Sequence, residues 1–210
     1  MHCDHQTRQC LICHSDLNDS VSLFHLLYQP KLCYKCIQAF EVIDLSFYFK
    51  KIKTRVLYHY NDFFKELLFQ YKANYDYALK DAFLIPFVDL KQLYHHHLIA
   101  VVPSSNQDNQ KRGFCPNEAI VKNLGDNVFT GLYKRSDYKQ TSQKDRSLVA
   151  KEIRIKDGYL LTNQKVLLFD DVLTSGNTIN TCIELIKQYH PKSIEVLILS
   201  SNQINNFLDK

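Results

Sequence analysis

Apolar and polar positions divide this chain into two parts with different rhythms. Over residues 1–45 regular periodicity is weak and cysteine pairs dominate. From residue 46 onward the pattern becomes that of packed elements, so the reading is a small module at 1–45 and one larger domain at 46–210. Residues 55–60 alternate as a strand does. Asn61 then offers a helix cap, and Phe63, Phe64, Leu67, Leu68 and Tyr71 recur at helical spacing. Two more helical stretches are expected between 75 and 97, interrupted at Pro86. From residue 98 short apolar strands alternate with helices. Residues 98–102, 165–169 and 193–200 read as buried strands, and 116–124 and 177–189 as helices, the first with proline in its opening turn. The 103–105 stretch is a loop, and 134–143, polar, basic and without an apolar face, is another. Strands and helices in this order predict an α/β fold, a mostly parallel sheet flanked by helices on both faces.

Composition adds limits. With 210 residues, 45% hydrophobic and 23% charged, the chain can bury one core and still carry a small accessory module. The opening MHCDHQTRQC lacks the apolar stretch of a signal peptide, and the apolar runs elsewhere are too short to span a bilayer. The expectation is a cytoplasmic protein whose seven cysteines are reduced and are read as metal ligands first. Net charge is only +4, but between 111 and 156 there are 11 Lys/Arg against 5 Asp/Glu. That local excess suits phosphate-bearing partners, nucleotide or nucleic acid, as well as a solvated surface.

The most informative segment is 166–178. Four apolar residues, Val166 to Phe169, carry the chain to the carboxyl end of a central strand, where open α/β sheets bind ligands. Asp170 and Asp171 follow. After Val172 and Leu173 comes a hydroxyl-rich turn, Thr174-Ser175-Gly176-Asn177-Thr178, that opens a helix. Free amides at a helix start donate to a phosphate, and the helix dipole favours its charge. Gly176 lets the backbone approach the anion, and Thr174, Ser175 and Thr178 add hydroxyl donors. Carboxylates repel phosphate, so Asp170 and Asp171 are assigned to vicinal ribose hydroxyls.

Cys10-x-x-Cys13 and Cys33-x-x-Cys36, nineteen residues apart, are two metal knuckles that can complete a tetrahedron around zinc. Cys10 to His14 also fits a C-x-x-C-H haem attachment site, but that leaves the second pair unexplained. A redox dithiol needs only one pair. Cys3, His5 or His14 could replace a ligand. Cys115 and Cys182 stand alone and read as packing residues, and the His95–His97 run as the end of a helix rather than a metal tract.

The 166–178 text resembles the phosphoribosyl-pyrophosphate (PRPP) signature of type I phosphoribosyltransferases. In that family a loop after an earlier strand holds the pyrophosphate, which points to Ser104 and Ser105. A flexible basic loop closes over it, which points to Lys111, Arg112, Lys139 and Arg146. A four-cysteine module, then K-R-G-F at 111–114, then Lys139-Gln140-Thr141 through Arg146, then the terminal motif, is similar to the ComF/GntX group (ComFC type) in order and extent. Members commonly have asparagine and glutamine after R-G-F, where this chain has Cys115 and Pro116. The resemblance implies a structural Zn²⁺, a PRPP-type ligand with Mg²⁺, and handling of single-stranded DNA in natural transformation beside a DNA-translocating ATPase. It leaves open an active phosphoribosyltransferase on a nucleobase or amine, with loss of pyrophosphate from the ribosyl C1, and a non-catalytic scaffold.

Overall fold

The structure is a computed structural model that describes residues 9–17, 31–135 and 152–203. Eight strands are present: β1 (Val42–Phe49), β2 (Ile52–His59), β3 (Leu98–Val101), β4 (Val128–Phe129), β5 (Leu132–Lys134), β6 (Ile153–Ile155), β7 (Lys165–Leu173) and β8 (Ser193–Ser201). Among the described residues these are accompanied by the helices α1 (Tyr34–Ala39), α2 (Asp62–Ala73), α3 (Leu90–Tyr94), α4 (Asn106–Arg112), α5 (Pro116–Val121) and α6 (Asn177–Lys187).

Six strands form one sheet in the order β1-β2-β8-β7-β3-β4. Only the β1–β2 pair is antiparallel; β2–β8, β8–β7, β7–β3 and β3–β4 are parallel. β5 and β6 make a separate antiparallel pair. Residues 166–169 owe their continuous apolar run to this arrangement, because a central parallel strand buries both faces. Val166 and Leu168 join one core cluster with Ile179, Ile183 and Ile186 of α6. Leu167 and Phe169 join the other, with Phe64, Leu67, Leu68 and Tyr71 of α2.

α2 begins where the sequence predicts, with the Asn61 side chain accepting from the Phe64 amide at 2.8 Å. Its buried Tyr71 hydroxyl donates to the Pro116 carbonyl at 2.8 Å and ties α2 to the start of α5. Tyr71→Phe removes that bond and is expected to cost about 1 kcal/mol, read by chemical denaturation. Between 75 and 97 the two expected stretches are a 3₁₀ turn (Tyr77–Asp81) and α3.

Several elements depart from expectation. β1 runs from 42 to 49, across residue 45, and its bulge at Asp44 (φ 43°) breaks the alternation that would have revealed it. The 103–105 loop opens directly into α4, which has no buried residue and therefore no apolar period. Lys134 belongs to β5 rather than to a loop, while 136–143 lies outside the described residues. β7 extends to Leu173, so the two acids lie within the strand instead of following it.

Candidate sugar-phosphate seat and cysteine cluster

β7 and β3 run side by side, with Val101 paired to Phe169 and the Val102 amide donating to the Phe169 carbonyl at 2.9 Å. That pairing places Asp170 next to the 103–105 loop, at the edge where parallel sheets present their ligands. Both acids are buried. Successive side chains leave a strand on opposite sides, and the two carboxylates have different partners. Asp170 Oδ1 accepts from Asn117 Nδ2 at 3.2 Å and from the Asp171 amide at 3.0 Å. Burial raises its carboxyl to about 6, against the pull of Lys72, Asn117 and Lys134. Asp171 Oδ2 accepts from the Lys72 ammonium of α2.

Beyond Leu173 the chain turns through exposed Thr174 and Ser175 to buried Gly176, whose φ of 74° is left-handed and suits glycine. α6 begins at Asn177, whose amide reaches Ser175 Oγ at 3.5 Å. Thr178 is half-buried in the first turn, where helical amides lack partners within the helix. Leu173 faces the core instead, and its carbonyl accepts from Ser201 Oγ at 3.0 Å.

Ser104 and Ser105 lie in the loop after β3, and their hydroxyls serve the protein itself. Ser104 Oγ donates to Asn109 Oδ1 at 2.7 Å, and Ser105 Oγ caps α4 by accepting from the Asp108 amide at 3.4 Å. Arg112 turns inward, donating from Nε to the Lys72 carbonyl at 2.8 Å and from Nη1 to Asn109 Oδ1 at 3.2 Å. Lys111 is exposed on α4. Lys139 and Arg146 lie outside the described residues. A cleft of about 370 Å³ opens beside the loop, lined by Ser104, Asn109, Cys115, Asn117, Tyr133 and Lys156 among others.

Two contributors escaped the sequence reading. Asn117 joins the ends of β3 and β7, its Nδ2 also donating to the Val102 carbonyl at 3.2 Å. Its place directly after R-G-F-C-P was the available signal. Lys72 stands 99 residues from Asp171, and no local pattern announces that pair.

The four cysteines converge. Their sulfurs lie within 4.8 Å of one another, with Cys13 Sγ 3.6 Å from Cys33 Sγ. Thiolates at about 2.3 Å from zinc stand about 3.8 Å apart in a tetrahedron, so the four can hold one zinc ion. The first knuckle is a tight turn closed by the Cys10 amide on the Ser15 carbonyl and the Gln9–Asp16 bridge, and Cys33 begins α1. Hydrogen bonds from Ser15 lower the Cys13 thiol to about 6, favouring the thiolate that a metal needs. His14 is not among the clustered ligands, and Cys3 and His5 lie outside the described residues. Cys182 is buried against the sheet, and Cys115 is half-buried. His97 is buried beside Glu195 at 3.7 Å. Among the described residues the cysteines are the only group of three or more side chains placed for a metal. No helix among those residues is long and apolar enough to cross a membrane.

Residues 110–206 match the phosphoribosyl transferase domain family. The competence protein ComFC of Streptococcus pneumoniae (strain ATCC BAA-255 / R6) is 24% identical over 218 residues, spanning 91% of this chain and 99% of that protein. ComFC of Bacillus subtilis (strain 168) is 24% identical over 204 residues, spanning 81% and 85%. Among solved structures, a hypoxanthine phosphoribosyltransferase of Staphylococcus aureus is 17% identical and superposes with a TM-score of 0.35. It covers 66% of this chain and 62% of that one, under two thirds of its length, and a superposition this loose says nothing about function. Near-full-length likeness to two ComFC proteins, a phosphoribosyl transferase domain match over 110–206 and a four-cysteine cluster ahead of it together make this chain similar to the ComFC type of protein.

Proposed function

We propose that this protein acts in natural transformation on the cytoplasmic side, handling single-stranded DNA beside a DNA-translocating ATPase, and that the edge of β7 binds a phosphoribosyl ligand. One observation carries the ligand assignment: an acid pair ends a central parallel strand and runs through a left-handed glycine into the open amides of α6. The 5-phosphate sits on the 174–178 turn, and the acids accept hydrogen bonds from ribose hydroxyls. The 103–106 backbone holds the pyrophosphate, since the hydroxyls of Ser104 and Ser105 are already engaged. Hard carboxylate oxygens and ribose hydroxyls fit Mg²⁺, which when bound neutralises the pyrophosphate and withdraws charge from the ribosyl C1–O bond. The four thiolates hold one structural zinc. The relatives' names support the transformation role, and the net +6 of residues 111–156 suits a polyanion.

Calorimetric titration tests both parts. Phosphoribosyl pyrophosphate with Mg²⁺ is expected to bind one site per chain, and Asp170→Asn with Asp171→Asn to abolish it without unfolding the sheet; unchanged affinity refutes the ribose assignment. A single-stranded oligonucleotide is expected to bind with an affinity that falls steeply as salt is added. Salt-independent binding, or none, removes DNA handling. Pyrophosphate release that requires one particular acceptor would make the protein a transferase.

A further inference from the structure

Lys72 enters the seat from an element that the sugar-phosphate motif does not include. α2 places Tyr71 in the core and, one residue on, aims Lys72 across the sheet edge at Asp171. The end of α2 is braced rather than frayed. Arg112 holds the Lys72 carbonyl, Arg112 is held by Asn109, and Asn109 accepts from Ser104. The same network therefore joins the backbone at Lys72 to the loop after β3. The Asp171 side chain is 10% exposed and the Lys72 side chain 32%, so the lysine is the partner that keeps access to solvent. Stability does not explain such a pair, because partly buried ion pairs lose in desolvation about what they gain in attraction.

We propose that Lys72 is a ligand-positioning residue: a built-in counter-cation that neutralises Asp171 and offers its remaining N–H donors to an anionic oxygen of a sugar phosphate. The proposal rests on the sugar-phosphate reading above. An ammonium has three donors and no acceptor, and Asp171 takes one of them. With the lysine in place, the seat tolerates phosphate beside two acids without a divalent cation. Without it, the acids repel the phosphate until a divalent cation supplies the missing charge.

Titration of the full zinc-loaded chain with ribose 5-phosphate, in buffer freed of Mg²⁺ without chelator and in Mg²⁺, reads this directly, because that ligand lacks the pyrophosphate that itself chelates metal. Wild-type affinity is expected to change less than about threefold when Mg²⁺ is left out. Lys72→Gln is expected to bind about 30-fold or more weakly without Mg²⁺ and to recover most of the loss in Mg²⁺. Lys72→Arg, which keeps the charge, should follow the wild type, and thermal melting confirms that each variant is folded. Equal affinities of wild type and Lys72→Gln without Mg²⁺ overturn the proposal, as does a loss that Mg²⁺ leaves uncorrected. A wild type that binds ribose 5-phosphate only with Mg²⁺ overturns it while sparing the sugar-phosphate seat. A wild type that binds neither this ligand nor phosphoribosyl pyrophosphate under either condition removes both.

Discussion

Removing metal from the full chain, or replacing Cys33 with serine, is expected to collapse the cysteine module while the sheet survives. The module has little of its own to fold around. Among its described residues Cys10, Leu17, Leu32, Cys36 and Phe40 are the buried apolar side chains, and they complete a cluster supplied mainly by α2, α3 and the sheet. The backbone bonds around the knuckles are local, such as the Cys10–Ser15 closure, the His14 amide on Cys10, the Gln9–Asp16 bridge and the Leu11 amide on Lys31. Zinc binding to four thiolates contributes on the order of 10–16 kcal/mol in isolated fingers, far more than these contacts. Elemental analysis should find one zinc per chain, released by chelator, and absent or weakly held in Cys33→Ser. Limited proteolysis should then cut the first forty residues before the sheet. Cys115→Ser, outside the cluster, should keep its zinc. Metal-free protein after purification under reducing conditions would dispose of the assignment.

What could be read from the sequence was what local chemistry encodes. The cysteine knuckles were legible because each pair's ligand spacing lies within four residues. The core of β7 was legible because burial on both faces demands an unbroken apolar run. Its continuation through Asp170 and Asp171 was not, since adjacent acids read as a loop. They stay in the strand because β8 pairs with it on one side as far as Leu173. α4 was hidden for the opposite reason. Asn-Gln-Asp-Asn-Gln-Lys-Arg has no apolar stripe, so only its ends specify it: the Ser105 cap and Gly113 at φ 78°. Those signals stood in the sequence, unread beside a missing periodicity. The Lys72–Asp171 pair had no such signal, because it exists only once α2 packs across the sheet edge.

Asp170→Asn is expected to make the protein more stable and unable to bind its ligand. Burial raises the Asp170 carboxyl to about 6, roughly two units above a carboxyl in an unfolded chain. The sign follows from linkage: between pH 4 and 6 the folded protein holds this proton and the unfolded chain releases it. This group's ionisation therefore costs stability as pH rises through that window, and the cost is fully present at pH 7. Two units correspond to about 3 kcal/mol, an upper bound because the amide must find room for its own N–H donors. Asparagine keeps an oxygen for Asn117 and for the Asp171 amide while removing the charge. A gain of about 1–3 kcal/mol at pH 7 is expected, shrinking towards zero near pH 4. Urea denaturation at pH 4.5, 5.5 and 7 measures it as the wild-type-minus-variant difference, in which any acid release of zinc cancels. A variant less stable than wild type at pH 7, with a difference independent of pH, would mean that the Asp170 carboxylate is favoured where it lies. If the gain is found together with lost ribose 5-phosphate binding, the chain keeps a buried charge at a cost in stability because the ligand needs it.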